Sequence, residues 1–277
     1  MEFFIEILIF IVSCVFTFIF FKNWYYYTLN SWSYKKSKLA GMILISLPII
    51  SLIIVFYTLK TLASFDVKGS PFYIFYYIVL GYTWIYFGVK LFFLLFDISW
   101  IDDILHQNNK AALFSFTGGI LGLTIIYSGA NIGDGPGWWC VVFAGGLGTI
   151  AWFALGMVIN KISGIFERIT IDRDIPCGIR FGLYLSASGI ILGRASGGDW
   201  TSFFKTILEF FDGWPVLLLT ALVILIEKSY SKKSNKYEEE HGNQLISSIF
   251  WGILYIIIAI VAVILLPPFS KNPIYFR

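Results

Sequence analysis

The feature that most constrains this chain is a series of long apolar runs, separated by short polar stretches. A hydrocarbon core about 30 Å thick takes roughly 20 apolar residues to cross as a helix. Eight runs approach that length: Phe3–Phe21, Leu39–Leu59, Pro71–Phe96, Ala111–Ala130, Trp138–Asn160, Ile179–Gly193, Trp214–Ile226 and Leu245–Leu266. The sixth and seventh are the shortest. Lipid offers no partners to backbone amides, so such runs satisfy themselves as helices. Composition agrees. Charged residues make up 13% of the 277 and hydrophobic ones 58%, against roughly 25% charged in soluble domains. A soluble monomer, a disordered chain and a basic nucleic-acid binder are excluded, and no nucleic-acid partner is expected. The reading is an all-α, polytopic membrane helix bundle of about eight transmembrane helices, forming one integral membrane domain over residues 1–277 with the lipid bilayer as its first partner.

Lys and Arg concentrate on the cytoplasmic side of membrane proteins. The connections after the first, third, fifth and seventh runs carry Lys22, Lys35, Lys36, Lys38, Lys110, Lys161, Arg168, Arg173, Lys228, Lys232, Lys233 and Lys236, twelve in all. The opposite side carries six: Lys60, Lys68, Arg194, Lys205, Lys271 and Arg277. Both termini are therefore expected outside. The first run lacks a basic start and a following cleavage site, so it reads as a span rather than a signal peptide. Asn23 to Tyr27, with Trp32 and Tyr34, form an interfacial aromatic belt. The polar stretch 227–244 reads as a solvated linker or as a docking strip for a cytoplasmic partner.

The middle of the chain repeats. At a shift of 71, Asp103-Ile104 falls on Asp174-Ile175, Ser115 on Ser186, Gly118 on Gly189, and Ile120–Gly122 on Ile191–Gly193. Asp134-Gly135 matches Asp212-Gly213 at a shift of 78. Pro136 and Pro215 sit where a following helix begins. Two-span units, about 102–161 and 173–228, then share one orientation as a parallel repeat, an arrangement found in transporters and equally compatible with a structural bundle.

Gly178, Gly182, Ser186, Gly189 and Gly193 step by 4, 4, 3 and 4 along one helical face. Gly118 and Gly122 do the same on the fourth run, and Ala144 and Gly148 on the fifth. Small faces let backbones approach where water supplies no drive for association. The fourth, fifth and sixth runs are expected to form the tight centre, with the first, second and eighth facing lipid or each other. A glycine face also suits the lining of a path.

Ionisable groups inside spans are costly and point to function. Arg180 and Arg194 bound the sixth run with thirteen residues between them, about 20 Å of helix. They either snorkel to opposite interfaces or face a cavity and pair with Asp172, Asp174, Asp199 or an anion. Lys90 lies inside the third run, and snorkelling is its ordinary explanation. Thr201–Phe211 reads as a short interfacial amphipathic helix, or as the first half of a longer tilted span. Lys205 and Glu209 are spaced i,i+4 there, and Asp199 or Thr201 is placed to cap its start. Asn108 and Asn109 precede the fourth run, where an amide oxygen caps orphan N–H groups.

Cys14, Cys140 and Cys177 have no metal spacing, and His106 and His241 have no ligand-spaced companions. The Asn131–Gly137 stretch lacks the Lys-Ser/Thr of a phosphate loop and reads as a turn. No catalytic motif stands out. No metal or cofactor is implied, and an enzyme is not expected.

Residues Leu105 to Ala112, followed by Ser115-Phe116-Thr117-Gly118 and Leu121-Gly122, resemble the YjfL-like family of bacterial inner-membrane proteins of unknown function. Asp172 to Gly178, and on through Gly193-Arg194-Ala195 to Asp199-Trp200, resemble that family's second half, with Asp174 and Pro176 replacing its asparagine-rich pattern. The likeness spans about 72–200 and fades toward 228. It implies a bacterial cytoplasmic membrane and, by association, a role in envelope maintenance. The expected function is a non-enzymatic component of an envelope-stress or membrane-associated assembly, possible as a homo-oligomer. The alternative is an ion channel or small-solute transporter, with Arg180, Arg194, Asp199 and Asp174 near its path.

Overall fold

A computed structural model describes residues 2–31, 38–234, 241–269 and 271–275. These residues are almost entirely helical and hold no strand. The eight long helices are α1 (Glu2–Asn30), α2 (Lys38–Thr61), α3 (Pro71–Phe96), α4 (Lys110–Ala130), α5 (Trp138–Ser163), α6 (Ile175–Ala195), α7 (Pro215–Ser234) and α8 (His241–Leu265). Eight segments are long and apolar enough to span a membrane, so the chain is a multi-pass membrane protein.

Two boundaries correct the sequence expectation. α6 has 21 residues because its first turn holds Pro176 and Gly178, which dilute hydropathy without breaking the helix. α7 runs past Ile226 and takes Glu227 with it, so this residue belongs to a helix and not to the polar linker. Of the 227–244 linker itself, residues 235–240 lie outside the described residues, as do Trp32 and Tyr34 of the aromatic belt. The helix Phe203–Phe210 leads through a tight turn at Phe211–Gly213 into α7, and together Phe203–Tyr230 form one long apolar segment. Its cap is Ser202, whose hydroxyl accepts the Lys205 N–H at 3.2 Å, and not Asp199 or Thr201. Lys205 and Glu209 do approach, at 3.7 Å. Pro215 opens α7, whereas Pro136 lies before the Gly137 cap of α5.

The helices form two layers. α2, α4, α6 and α8 stand side by side in one row, with α4 against α6 the most extensive pairing and α6 against α8 the next. α1, α3, α5 and α7 form the second row. Within the first row all helices run the same way: Ser51 of α2 meets Thr124 of α4, Ala111 and Ile125 of α4 meet Gly178 and Gly193 of α6, and Ser248 of α8 meets Arg180 of α6. The C-terminal ends of the odd-numbered helices and the N-terminal ends of the even-numbered ones therefore gather at one end of the bundle, termed proximal, and their opposite ends at the distal end. The expected tight trio of α4, α5 and α6 is replaced by this row, with α2 and α8 flanking the pair α4–α6. In the most apolar stretch of α4, 78% of residues are buried, against 11% in α1.

Local chemistry explains the joints. Proline has no N–H, so Pro48 inside α2 leaves the Leu44 carbonyl, four residues back, without its helical donor. The Trp24 indole supplies one at 2.8 Å. α4 and α6 have the same length and start 65 positions apart. Their caps Asn109 and Asp174 and the left-handed residues Asn108 and Arg173 before them all stand 65 positions apart. So do Gly133 and Gly198 beyond their far ends. Glycine spacing aligned the sequences on the faces that touch, whereas the caps set where each helix starts.

Candidate functional site: a buried charge cluster

The α4–α6 seam is closed at the level of the backbone. A Cβ on Gly118 would overlap the Gly182 carbonyl, and one on Gly129 the Gly193 carbonyl. Added to Gly189 it would lie 2.6 Å from the Gly122 Cα, and added to Gly122 it would lie 2.5 Å from the Leu185 carbonyl. Gly178 abuts Ala111 in the same way. Hydroxyls on the seam turn back to main-chain carbonyls: Ser115 to Gly178 at 3.2 Å and Ser186 to Gly118 at 3.3 Å. All seven small residues singled out on the fourth and sixth runs thus meet the partner helix.

Arg180 projects from the second turn of α6 toward α7 and α8. It neither snorkels nor meets a cavity: the side chain is fully buried. Its Nε and one terminal nitrogen donate to the two oxygens of Glu227 at 2.5 and 2.7 Å, a bidentate fork. The other terminal nitrogen donates to Ser248 Oγ at 2.5 Å, and the Tyr230 ring lies 4.2 Å from the guanidinium carbon. Arg168, from the helix Ile165–Thr170, donates to Glu227 at 2.9 Å and to Asp174 at 2.6 Å. Burial works against the Arg168 charge, but Cys177, Glu227 and Asp174 outweigh it and hold its pKa above the ordinary arginine value. Asp174 also caps α6, accepting the Cys177 N–H at 3.0 Å.

Two cations and two carboxylates cancel, and the carboxylate of Glu227 is saturated by donors. The expected partners of Arg180 are corrected accordingly. Asp174 reaches Arg168 instead, because the cap position holds it at the mouth of α6. Asp199 lies at the opposite end of the helix.

Arg194 is half-buried at the distal end. It donates to the Pro267 carbonyl, and its guanidinium carbon lies 3.5 Å from the centroid of the Phe269 ring. Asp199 accepts the N–H groups of Asp134 and Asn272, each at 2.9 Å. Gly198 N–H donates to the Ile132 carbonyl at 2.9 Å and Gly133 N–H to Leu62 at 3.1 Å. These bonds stack the distal connections on one another. Gly133 needs its positive φ of 101° here, and a Cβ would stand 2.5 Å from the Gly198 backbone. A recess of about 620 Å³ opens beside the stack, lined in part by Ser64, Tyr77, Asp134, Asp199 and Glu209. At the proximal end Asn109 is the cap of α4, accepting the Ala112 N–H at 3.1 Å and donating to the Ile169 carbonyl at 2.8 Å. Asn108 stands just before the cap, and with φ at 53° it turns the chain into the cap position.

Sequence reasoning missed Glu227, Arg168, Ser248 and Tyr230. A signal existed. The run Trp214–Ile226 is too short to cross a bilayer, and extending it takes in Glu227 and Tyr230 at i,i+3 spacing on one face. Among the described residues, no group of three or more His, Cys, Asp or Glu could hold a metal ion. Comparison of the chain with protein-family models, curated proteins and solved structures found no match.

Proposed function

We propose that this chain is a non-catalytic membrane protein that serves as a fixed component of a membrane-associated assembly. The observation that carries the reading is the α4–α6 seam, closed backbone to backbone from Gly178 at one end to Gly129 at the other. A path between α4 and α6 would require these helices to part, and the glycine faces have no side chains that could swing aside to open one. The Arg180–Glu227 cluster supports the same reading, because its charges are spent on each other and tie α6, α7 and α8 together. The bacterial cytoplasmic membrane and an envelope-stress role rest on the likeness to the YjfL-like family. The placement of both termini outside rests on the Lys and Arg count.

The test is flux in proteoliposomes holding the full chain. No flux of cations, anions or protons above protein-free vesicles is expected. Flux abolished by Arg194→Ala would replace this reading with a channel or transporter, for which the distal recess beside Asp199 is the supporting feature.

A further inference from the structure

The proximal ends of α1 and α3 build a second site, away from the buried cluster. α3 has 26 residues, about 39 Å of helix against a core of about 30 Å. α1, with 29 residues, is longer still. Both therefore extend beyond the hydrocarbon. The two run in the same direction, with Phe10 against Tyr76, Phe16 against Phe87 and Phe20 against Tyr82. Their proximal ends lie together, with Trp24 of α1 stacked on Trp100 just beyond α3.

Between these ends and the helix Trp100–His106 lies a groove of about 530 Å³. Its walls include Asn23, Trp24, Tyr27, Tyr86, Lys90 and Trp100, and among the described residues no carboxylate lines it. The aromatic wall is fixed by its own packing. Trp24 stacks on Trp100 with ring centroids 4.7 Å apart, and Tyr27 meets Trp100 edge-on at 6.1 Å. Trp24 is held from behind by its bond to the Leu44 carbonyl.

Lys90 stands out in this setting. It lies on an exposed stripe of α3 with Phe87, Leu91 and Leu94, a face turned to lipid. Its ammonium sits over the Tyr86 ring at 5.7 Å, and no ion pair among the described residues includes it. Lys22 is exposed on α1 at comparable depth and is likewise outside those ion pairs. A cation on a lipid-facing stripe, at the edge of an aromatic groove free of acids, is complementary to a phosphodiester carried on acyl chains. We propose that the groove between α1, α3 and the 100–106 helix binds the headgroup of an anionic phospholipid, with Lys90 on its phosphate and an acyl chain running inward from there along Phe87.

Native mass spectrometry of the full chain, released from mixed micelles with equal phosphatidylglycerol and phosphatidylcholine, tests this. One lysine near the surface corresponds to a preference of about fivefold for phosphatidylglycerol. Lys90→Met should bring the ratio to near unity and Lys90→Arg should keep it. Both side chains are exposed and leave the bundle intact, which melting of each variant checks. A wild-type chain without preference, or a Lys90→Met chain that keeps it in full, overturns the proposal. So does inorganic phosphate raising the melting temperature in neutral detergent as much as the same concentration of phosphatidylglycerol, since the site would then read a free anion and not a lipid.

Discussion

Arg180 and Arg194 occupy one helix, yet the two ends of α6 are built on different principles. At the proximal end a buried arginine is matched by a buried glutamate from α7, a serine from α8 and a second arginine from the connection before α6. At the distal end the arginine lies over a phenylalanine ring at the rim, and the joints are made by backbone N–H groups and the carboxylates of Asp134 and Asp199. The difference teaches where charge is structurally expensive. Deep between helices a charge persists only when it is paired and fully hydrogen-bonded. At the rim it can be spent on a carbonyl and a ring. The same residue type on the same helix therefore carries very different weight, and substitutions at the two ends separate the two cases.

The largest effect is expected at the proximal end. Glu227→Leu leaves Arg180 buried without its counter-ion and should cost about 3–5 kcal/mol, read as unfolding of the purified chain in detergent. Arg180→Met combined with Glu227→Leu should recover most of that loss, since Arg168 keeps Asp174. A single variant as stable as the wild type would show that the cluster does not hold the bundle. Next comes the seam that joins the two ends. Gly118→Ala forces a Cβ into the Gly182 carbonyl and should cost about 3 kcal/mol, the upper end of ordinary overpacking. Gly146→Ala, where nothing lies within 4 Å of the added carbon, is the matched control and should be no less stable than wild type. Equal melting of the two would mean that the seam is looser than described.

At the distal end, Asp199→Ala strips the acceptor from two loop N–H groups and should cost about 1–3 kcal/mol. Hydrogen exchange should quicken at Asp134 and Asn272 while the α6–α7–α8 joint stays protected. If protection falls at Arg180 as well, the two ends are one cooperative unit and the contrast drawn here fails. The smallest effect belongs to Arg194→Gln, at or below about 1 kcal/mol, because this half-exposed side chain gives up only one hydrogen bond and one ring contact at the rim. A loss comparable to that of Glu227→Leu would place Arg194 on the same footing as Arg180.

Much of the architecture was legible beforehand. The start and end of the third span agree with α3 to the residue, because Pro71 opens the helix under the Ser70 cap and Asp97 closes it in a left-handed turn. The small-residue face of α6 announced a close neighbour, and α4 is that neighbour. What escaped was the partner of Arg180. Glu227 stands at the end of an apolar run beside Lys228, where the sequence pattern is that of a helix giving way to a polar loop. The shortness of that run draws Glu227 into the helix, but nothing local says that its carboxylate faces α6 and not solvent. Its fate depends on α6 and α8, and the three meet only in the folded bundle. Asn108 and Asn109 show the same limit on a smaller scale. Either suits a cap by chemistry, and the backbone turn at Asn108 decides for Asn109.

The sequence alone determined that this is a multi-span helical membrane protein, since apolar length and the need to satisfy every backbone group in lipid leave no other solution. It also determined which helix faces are small enough for backbones to touch. Only the tertiary structure decided that the even-numbered helices form one parallel row, that the caps of α4 and α6 stand 65 positions apart, and that Arg180 belongs to Glu227 while Arg194 belongs to the rim. Periodicity within a helix reports the face that will be buried. It carries no information on which distant helix supplies the opposite charge, because that choice is made by packing between segments whose separation along the chain is unrelated to their distance in space.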